Sequence, residues 1–194
     1  MKVLLIMAGL LFLVQNASAA QMSGFAASYY LDDGTTPEEP TKVPLYPTIS
    51  IGKKNIQMEM SLLSDTTNAP VEKDSSAHWI CLHDDDGTNY WFISDNEMGA
   101  GLLTALAIAR DGIHKECVNT TERVSVSVSG VPLLNATHGD LVELFGKKAI
   151  GNRKKILLYQ ETPVQDGFVQ NNTVSYYFDG EKLRGVIIGQ ITSN

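Results

Sequence analysis

The chain has 194 residues with 22 acidic and 15 basic side chains, a net charge of −7. It has no block of Lys or Arg, which argues against nucleic acid and against an anionic membrane surface, since both are met by clustered basic groups. The two cysteines are too few and too widely spaced for a structural metal site, and no cofactor is expected.

Residues 1–19 read as a secretory signal: Lys2, an apolar run from Val3 to Val14, then the small residues Ala17 and Ala19. The run is short for a membrane span. Cleavage near Ala19 would remove Lys2, leaving 14 basic against 22 acidic groups, a charge of −8. The protein is therefore expected in the periplasm or secreted. There Cys81 and Cys117 have one possible pairing, and a disulfide is the expected state.

In chain order, 20–47 holds a short apolar segment, Gly24 to Leu31, expected as a strand, followed by an acidic Pro-bearing loop from Asp32 to Lys42. Ile56, Met60 and Leu63 at i, i+4 and i+7 predict a helix. His78–His83 reads as a strand, "DDDG" at Asp84–Gly87 as a hairpin turn and "TNYWFIS" as the return strand. The seven residues Asp95–Gly101 form a longer turn. "LLTALAIA" is apolar on both faces, hence a central strand, and Arg123–Gly130 alternates as a half-buried one.

Thr137 and Asp140 form a capping box before a helix that stops at Gly146, with Leu141, Leu144 and Phe145 as its buried stripe. "KKILLYQE" is then a strand, Thr162–Asn172 a long exposed connection, "TVSYYF" a return strand, "DGEK" a tight turn and "LRGVIIGQI" the last strand.

The two halves share this order, with Ile80 matching Ile156, Leu82 Leu158, Phe92 Phe178 and Leu103 Leu183, so an internal duplication is expected. The domains are read as 48–130 and 131–194, each one α+β repeat. The fold class expected is α+β: two helix-plus-antiparallel-meander repeats forming one curved sheet with helices on one face.

A helix entered through "IG" and closed by "LFG", then strands reading "YYF-DGEKLRGVII", resembles the BamE/SmpA-type unit of bacterial envelope proteins. A tandem of such units resembles the β-lactamase-inhibitor-protein fold. The resemblance covers roughly residues 48–190 and implies a fold more than an activity.

No hydrolase, zinc-protease, dithiol or phosphate-loop signature occurs, and the expectation is a protein that is not an enzyme. The four histidines lack zinc spacing, three consecutive Asp do not make a calcium loop, and "GAG" at Gly99–Gly101 reads as a turn. Beyond the signal segment, Asn-x-Ser/Thr occurs at Asn119, Asn135 and Asn171, close to chance in so Ser/Thr-rich a chain.

Aromatics stand out. One member of each of the pairs Tyr90/Trp91 and Tyr176/Tyr177 should point away from the helices. Tyr90, Trp91 and Tyr177, with Asp95, Glu97 and Met98 of the longer turn, are the candidate contact residues for a partner protein. The expected role is an inhibitor or immunity protein that occludes the active site of an envelope-targeting enzyme or toxin. An envelope-assembly adaptor of the BamE/SmpA sort is the alternative.

Overall fold

The computed structural model describes residues 21–31, 39–146, 150–152 and 154–194. The signal segment and residues 32–38 of the acidic loop lie outside the described residues.

Among the described residues twelve strands form: β1 (Pro47–Ile51), β2 (Lys54–Ile56), β3 (Glu72–Lys73), β4 (Ala77–His83), β5 (Asn89–Asp95), β6 (Ala105–Ala109), β7 (Cys117–Asn119), β8 (Val124–Val128), β9 (Ile150–Asn152), β10 (Lys155–Pro163), β11 (Val169–Asp179) and β12 (Lys182–Ser193). Between them lie α1 (Leu63–Thr66) and α2 (His138–Phe145), and 3-10 helices span Gly24–Tyr30 and Gln165–Gly167.

The larger sheet runs β3-β4-β5-β6-β12-β11-β10-β9, antiparallel at each step, with β7 added in parallel on the outer edge of β4. The meander β4–β6 meets the meander β12–β10 across β6 and β12, where Ala107 faces Ile187. A second sheet, β2-β1-β8, is antiparallel and packs on one face of the first.

The expected α+β class with helices on one sheet face is corrected. The fold is mostly β, and the layer facing the main core is the three-stranded sheet. The helix expected through Ile56, Met60 and Leu63 is instead β2, a turn and the four-residue α1. Glu59 adopts φ +57, which no right-handed helix accommodates. Upstream, Ile49 and Ile51 alternate with Thr48 and Ser50 as a strand does, pairing Ile49 with Ile56.

Gly24–Tyr30 is a 3-10 helix rather than a strand. Met22, Phe25 and Ser28 recur at a spacing of three, the period of that helix, and all three are buried. The connection expected over Thr162–Asn172 is shorter, because β10 and β11 stay paired up to Pro163 and Val169.

Of the stripe expected on α2, Leu141 and Phe145 are buried but Leu144 is exposed, while several other expectations hold. Thr137 and Asp140 make a complete capping box on α2, with Asp140 N–H donating to Thr137 Oγ1 at 3.1 Å and Thr137 N–H to Asp140 Oδ2 at 3.0 Å. All five residues of β6 are buried, as a strand between two others and under cover on both faces must be. Arg123–Gly130 does form an alternating strand, but β8 leaves the meander to pair with β1. Cys81 and Cys117, directly opposed on β4 and β7, form a disulfide with Cα atoms 4.4 Å apart.

The period-two pattern of the strands separates two cores. On one face Ile80, Leu82, Phe92, Leu106, Ile108, Tyr176 and Val186 meet Ile49, Ile51, Val124 and Val128 of the small sheet. On the other, Trp79, Trp91, Ile93, Ile187 and four alanines are covered by Met22, Phe25 and Ala26 of the N-terminal segment.

Candidate functional site

Strand pairing fixes which loops share an end of the larger sheet. Ala77 starts β4 opposite Asp95, which ends β5; Ala105 starts β6 opposite Gly189; Val169 starts β11 opposite Pro163 and Ser193. The β5–β6 turn, the β10–β11 turn and the end of β12 therefore lie together. The turn at 57–63 is fastened to the same end: Glu59 N–H donates to Leu103 O at 2.7 Å and Leu63 N–H to Gly101 O at 3.0 Å.

Each of these three loops contains one non-glycine residue in the left-handed region: Glu59 (φ +57), Ala100 (φ +48) and Asp166 (φ +59). Among the described residues no other non-glycine residue has a positive φ. Such conformations cost on the order of 1–2 kcal/mol each and persist only where the surroundings impose them.

The fastenings are visible. Asp95 Oδ1 accepts from Glu97 N–H at 2.8 Å and Met98 N–H at 2.9 Å, while buried Ser94 Oγ accepts from Gly101 N–H at 3.0 Å. A Cβ on Gly99 would sit 2.4 Å from Ser94 Oγ and 2.7 Å from Asp95 O, so the turn closes only around glycine. The Glu59 carboxylate accepts from Thr192 N–H at 2.6 Å, Thr192 Oγ1 at 2.8 Å, and the side-chain amides of Gln170 and Gln190, each at 3.2 Å. One carboxylate thus ties the 57–63 turn to β11 and β12.

The loops expose apolar side chains. Met60 is 74% exposed and Met98 51%, and Leu62, Val164 and Phe168 are exposed beside them. Tyr46 is also exposed and donates its hydroxyl to Thr162 Oγ1 at 3.0 Å, next to the β10–β11 turn. The stretches 57–63, 95–104 and 163–170 contain no Lys or Arg but four acids, Glu59, Asp95, Glu97 and Asp166. The arrangement is an apolar set of tips in an acidic frame.

Of the residues singled out from the sequence, Glu97 and Met98 lie exposed on this surface. Asp95 is half-buried and serves the turn itself. Tyr90 is buried in the main core and Trp91 is fully buried beneath the N-terminal segment, so neither is a surface contact, which corrects the expectation of an aromatic open face there. Tyr177 packs edge-on against Phe25 with ring centroids 5.5 Å apart, half-buried at the margin of that cover. Met60, Leu62, Val164 and Phe168 were missed. Met60 beside Glu59 and Phe168 beside Gly167 carry the signal of an apolar residue at a turn, which a helical reading of 56–63 and a featureless reading of 162–172 hide, whereas Leu62 and Val164 carry no such local mark.

Two polar clusters lie elsewhere in the fold. Ser23 Oγ lies 3.2 Å from His114 Nδ1, and His114 Nε2 lies 3.0 Å from Asp111 Oδ1, beside an open cleft of about 490 Å³. The residue types are those of a nucleophilic triad, but the neighbouring amides are engaged: Ser23 N–H donates to Glu116 at 2.9 Å and Phe25 N–H to Asp111 at 2.6 Å. Neither can stabilise an oxyanion. His114 Nε2 also makes no well-directed hydrogen bond. A Cβ on Gly24 would fall 2.2 Å from the His114 ring, so this cluster is a close-packed fastening of the N-terminus.

At the β4–β5 hairpin, burial and the hydrogen bond to Asp86 raise the Asp84 carboxyl, whereas hydrogen bonds from Asp84, Thr88 and Arg110 bring Asp86 down to about 2. Burial and the charge of Asp84 push the Tyr90 hydroxyl up. Among the described residues no group of three or more His, Cys, Asp or Glu could hold a metal ion, and no helix is long and apolar enough to cross a membrane.

No family model, curated protein or solved structure matches the chain.

Proposed function

We propose that this protein is an exported binding protein of the inhibitor or immunity type, which engages a partner enzyme through the loop end that carries Met60, Leu62, Met98, Val164 and Phe168. The observation that carries the reading is the convergence of three left-handed, hydrogen-bonded loops at one end of the sheet, each displaying an apolar tip. Loops already held in one conformation lose little entropy on binding, so their apolar area contributes more of its transfer energy to affinity. Methionine suits such a surface because its side chain adapts to an irregular pocket.

The acidic frame favours a partner whose cleft has a basic rim, and opposite charge raises the association rate more than the affinity. The disulfide, which braces β7 against β4, fits an oxidising compartment. The test is replacement of Asp95–Gly101 by the short Asp-Gly-Glu-Lys turn that joins β11 to β12. With a captured envelope or secreted enzyme, the shortened protein should bind at least tenfold more weakly, about 1.4 kcal/mol. Unchanged affinity would remove the turn from the interface. Turnover of a cell-wall substrate by the purified protein would overturn the binding reading altogether.

A further inference from the structure

The N-terminal segment ends in two adjacent tyrosines, and both reach acids that shape the Met98 turn. Tyr29 OH donates to Asp95 Oδ2 at 3.0 Å, while the other oxygen of the same carboxylate holds the Glu97 and Met98 amides. Tyr30 OH donates to Asp74 Oδ2, and Asp74 Oδ1 holds the Ser76 and Ala77 amides at 2.7 and 2.8 Å. The Asp74 carbonyl accepts from Asn96 Nδ2 at 3.1 Å, and Asn96 N–H donates to Ser76 O at 3.0 Å. Each acid therefore joins the segment on one oxygen to a flank of the turn on the other.

At its start the segment is fastened by Glu116, His114 and Asp111, as described above, and between the two fastenings it lies on the floor it covers. Phe25 and Ala26 are fully buried against a surface of alanines, Trp79, Trp91 and Ile187, and Gly185 leaves room for the Phe25 ring, 2.7 Å from where a Cβ would lie. None of the segment pairs as a strand. Its seat is apolar at the middle and carboxylate-anchored at both ends, by Glu116 and Asp111 at its start and by Asp95 and Asp74 at the end nearest the loops.

We infer that Tyr29 and Tyr30 are positioning residues for the partner-binding surface, and that the N-terminal segment is a latch whose docking holds the Met98 turn in its binding conformation. The inference rests on the reading of the loop end as the contact surface. Displacement of the segment frees Asp95 and Asp74 from their tyrosines, loosens the turn from both flanks and uncovers the two tryptophans. Partner binding and latch docking then favour one another, because each is strongest when the turn is ordered.

The full chain supplies its own reporter, since its only two tryptophans, Trp79 and Trp91, are both fully buried under the segment. Amide exchange at Glu97 and Met98 should be compared in the native chain and in the Tyr29→Phe/Tyr30→Phe variant. Loss of hydrogen bonds to charged carboxylates should speed exchange at those two amides by about tenfold or more, with tryptophan emission unchanged because the apolar seat is intact. Phe25→Ala, which unseats the segment, should shift tryptophan emission to the red and speed the same amides. Unaltered exchange at Glu97 and Met98 in the tyrosine variant, or in a Phe25→Ala chain whose emission has shifted, overturns the latch. Neither readout needs a partner. If exchange rises but Met98→Ala leaves partner affinity unchanged, the latch stands and the contact assignment falls.

Discussion

Asp84 and Asp86 share the Thr88 amide, each accepting from it at 3.0 Å, and their carboxyls titrate in opposite directions. Asp86 is depressed, so its stabilisation is present above its unfolded value near 4 and fades as pH falls towards 2. Asp84 is raised, so its contribution is complete below about 4 and is lost as pH rises through its folded value. Asp86→Asn should lower stability at pH 7, by no more than the ~1 kcal/mol typical of an exposed pair, with the effect gone near pH 2. Asp84→Asn keeps an acceptor for Thr88 and removes an unfavourable charge, so it should be neutral or stabilising at pH 7. Thermal melts of both variants across this range check the signs.

Two neighbours in the β5–β6 turn should also respond in opposite senses. Gly99→Ala places a Cβ against backbone as well as Ser94, and should destabilise by about 2 kcal/mol. Ala100→Gly releases left-handed strain, partly offset by the greater freedom of glycine in the unfolded chain, and should stabilise by about 0.5 kcal/mol. Urea denaturation measures both. An equal loss in the two variants would show that the turn is not held as described.

At the scale of elements, the disulfide links residues 36 apart and joins β7 to the sheet edge. Replacing Cys81 and Cys117 by Ser should cost about 3–4 kcal/mol, read from denaturant unfolding with and without reductant. The alternating strands were legible because one-faced burial leaves a period of two, and α2 was legible because its capping box is local. The expected match of Phe92 with Phe178 differs from the one that strand pairing gives. Ile80 lies opposite Phe92 and Ile156 opposite Tyr176, so the ladder equates Phe92 with Tyr176, two residues before Phe178.

The first helix misled because Ile56, Met60 and Leu63 match a helical spacing that ignores the conformation of Glu59. That conformation is imposed by Thr192, Gln190 and Gln170, more than a hundred residues downstream. Trp91 misled for the same kind of reason, since what covers it is Phe25 and its neighbours, at the other end of a long sequence separation. Phe92 and Phe178 both remain core residues, and truncation of either to Ala should cost about 3–5 kcal/mol in denaturant unfolding.

At the scale of the molecule, a disulfide-braced sheet is covered on one face by a small sheet and on the other by its N-terminal segment, and half of the twelve large apolar side chains exposed among the described residues lie at one loop end. Tyr46, Met60, Leu62, Met98, Val164 and Phe168 gather at one end, while Ile113, Val118 and, on α2, Val142 and Leu144 are among those exposed elsewhere. A monomer with no partner has no reason to prefer either set. Site-specific photo-crosslinking separates them: a photoreactive residue placed singly at Met60, Met98, Phe168, Ile113, Val118 and Leu144, activated in the native envelope or secreted fraction. One common adduct is expected from Met60, Met98 and Phe168 and none from Ile113, Val118 or Leu144. Adducts confined to the second set, or absent from all six, would contradict the assignment of the loop end as the contact surface.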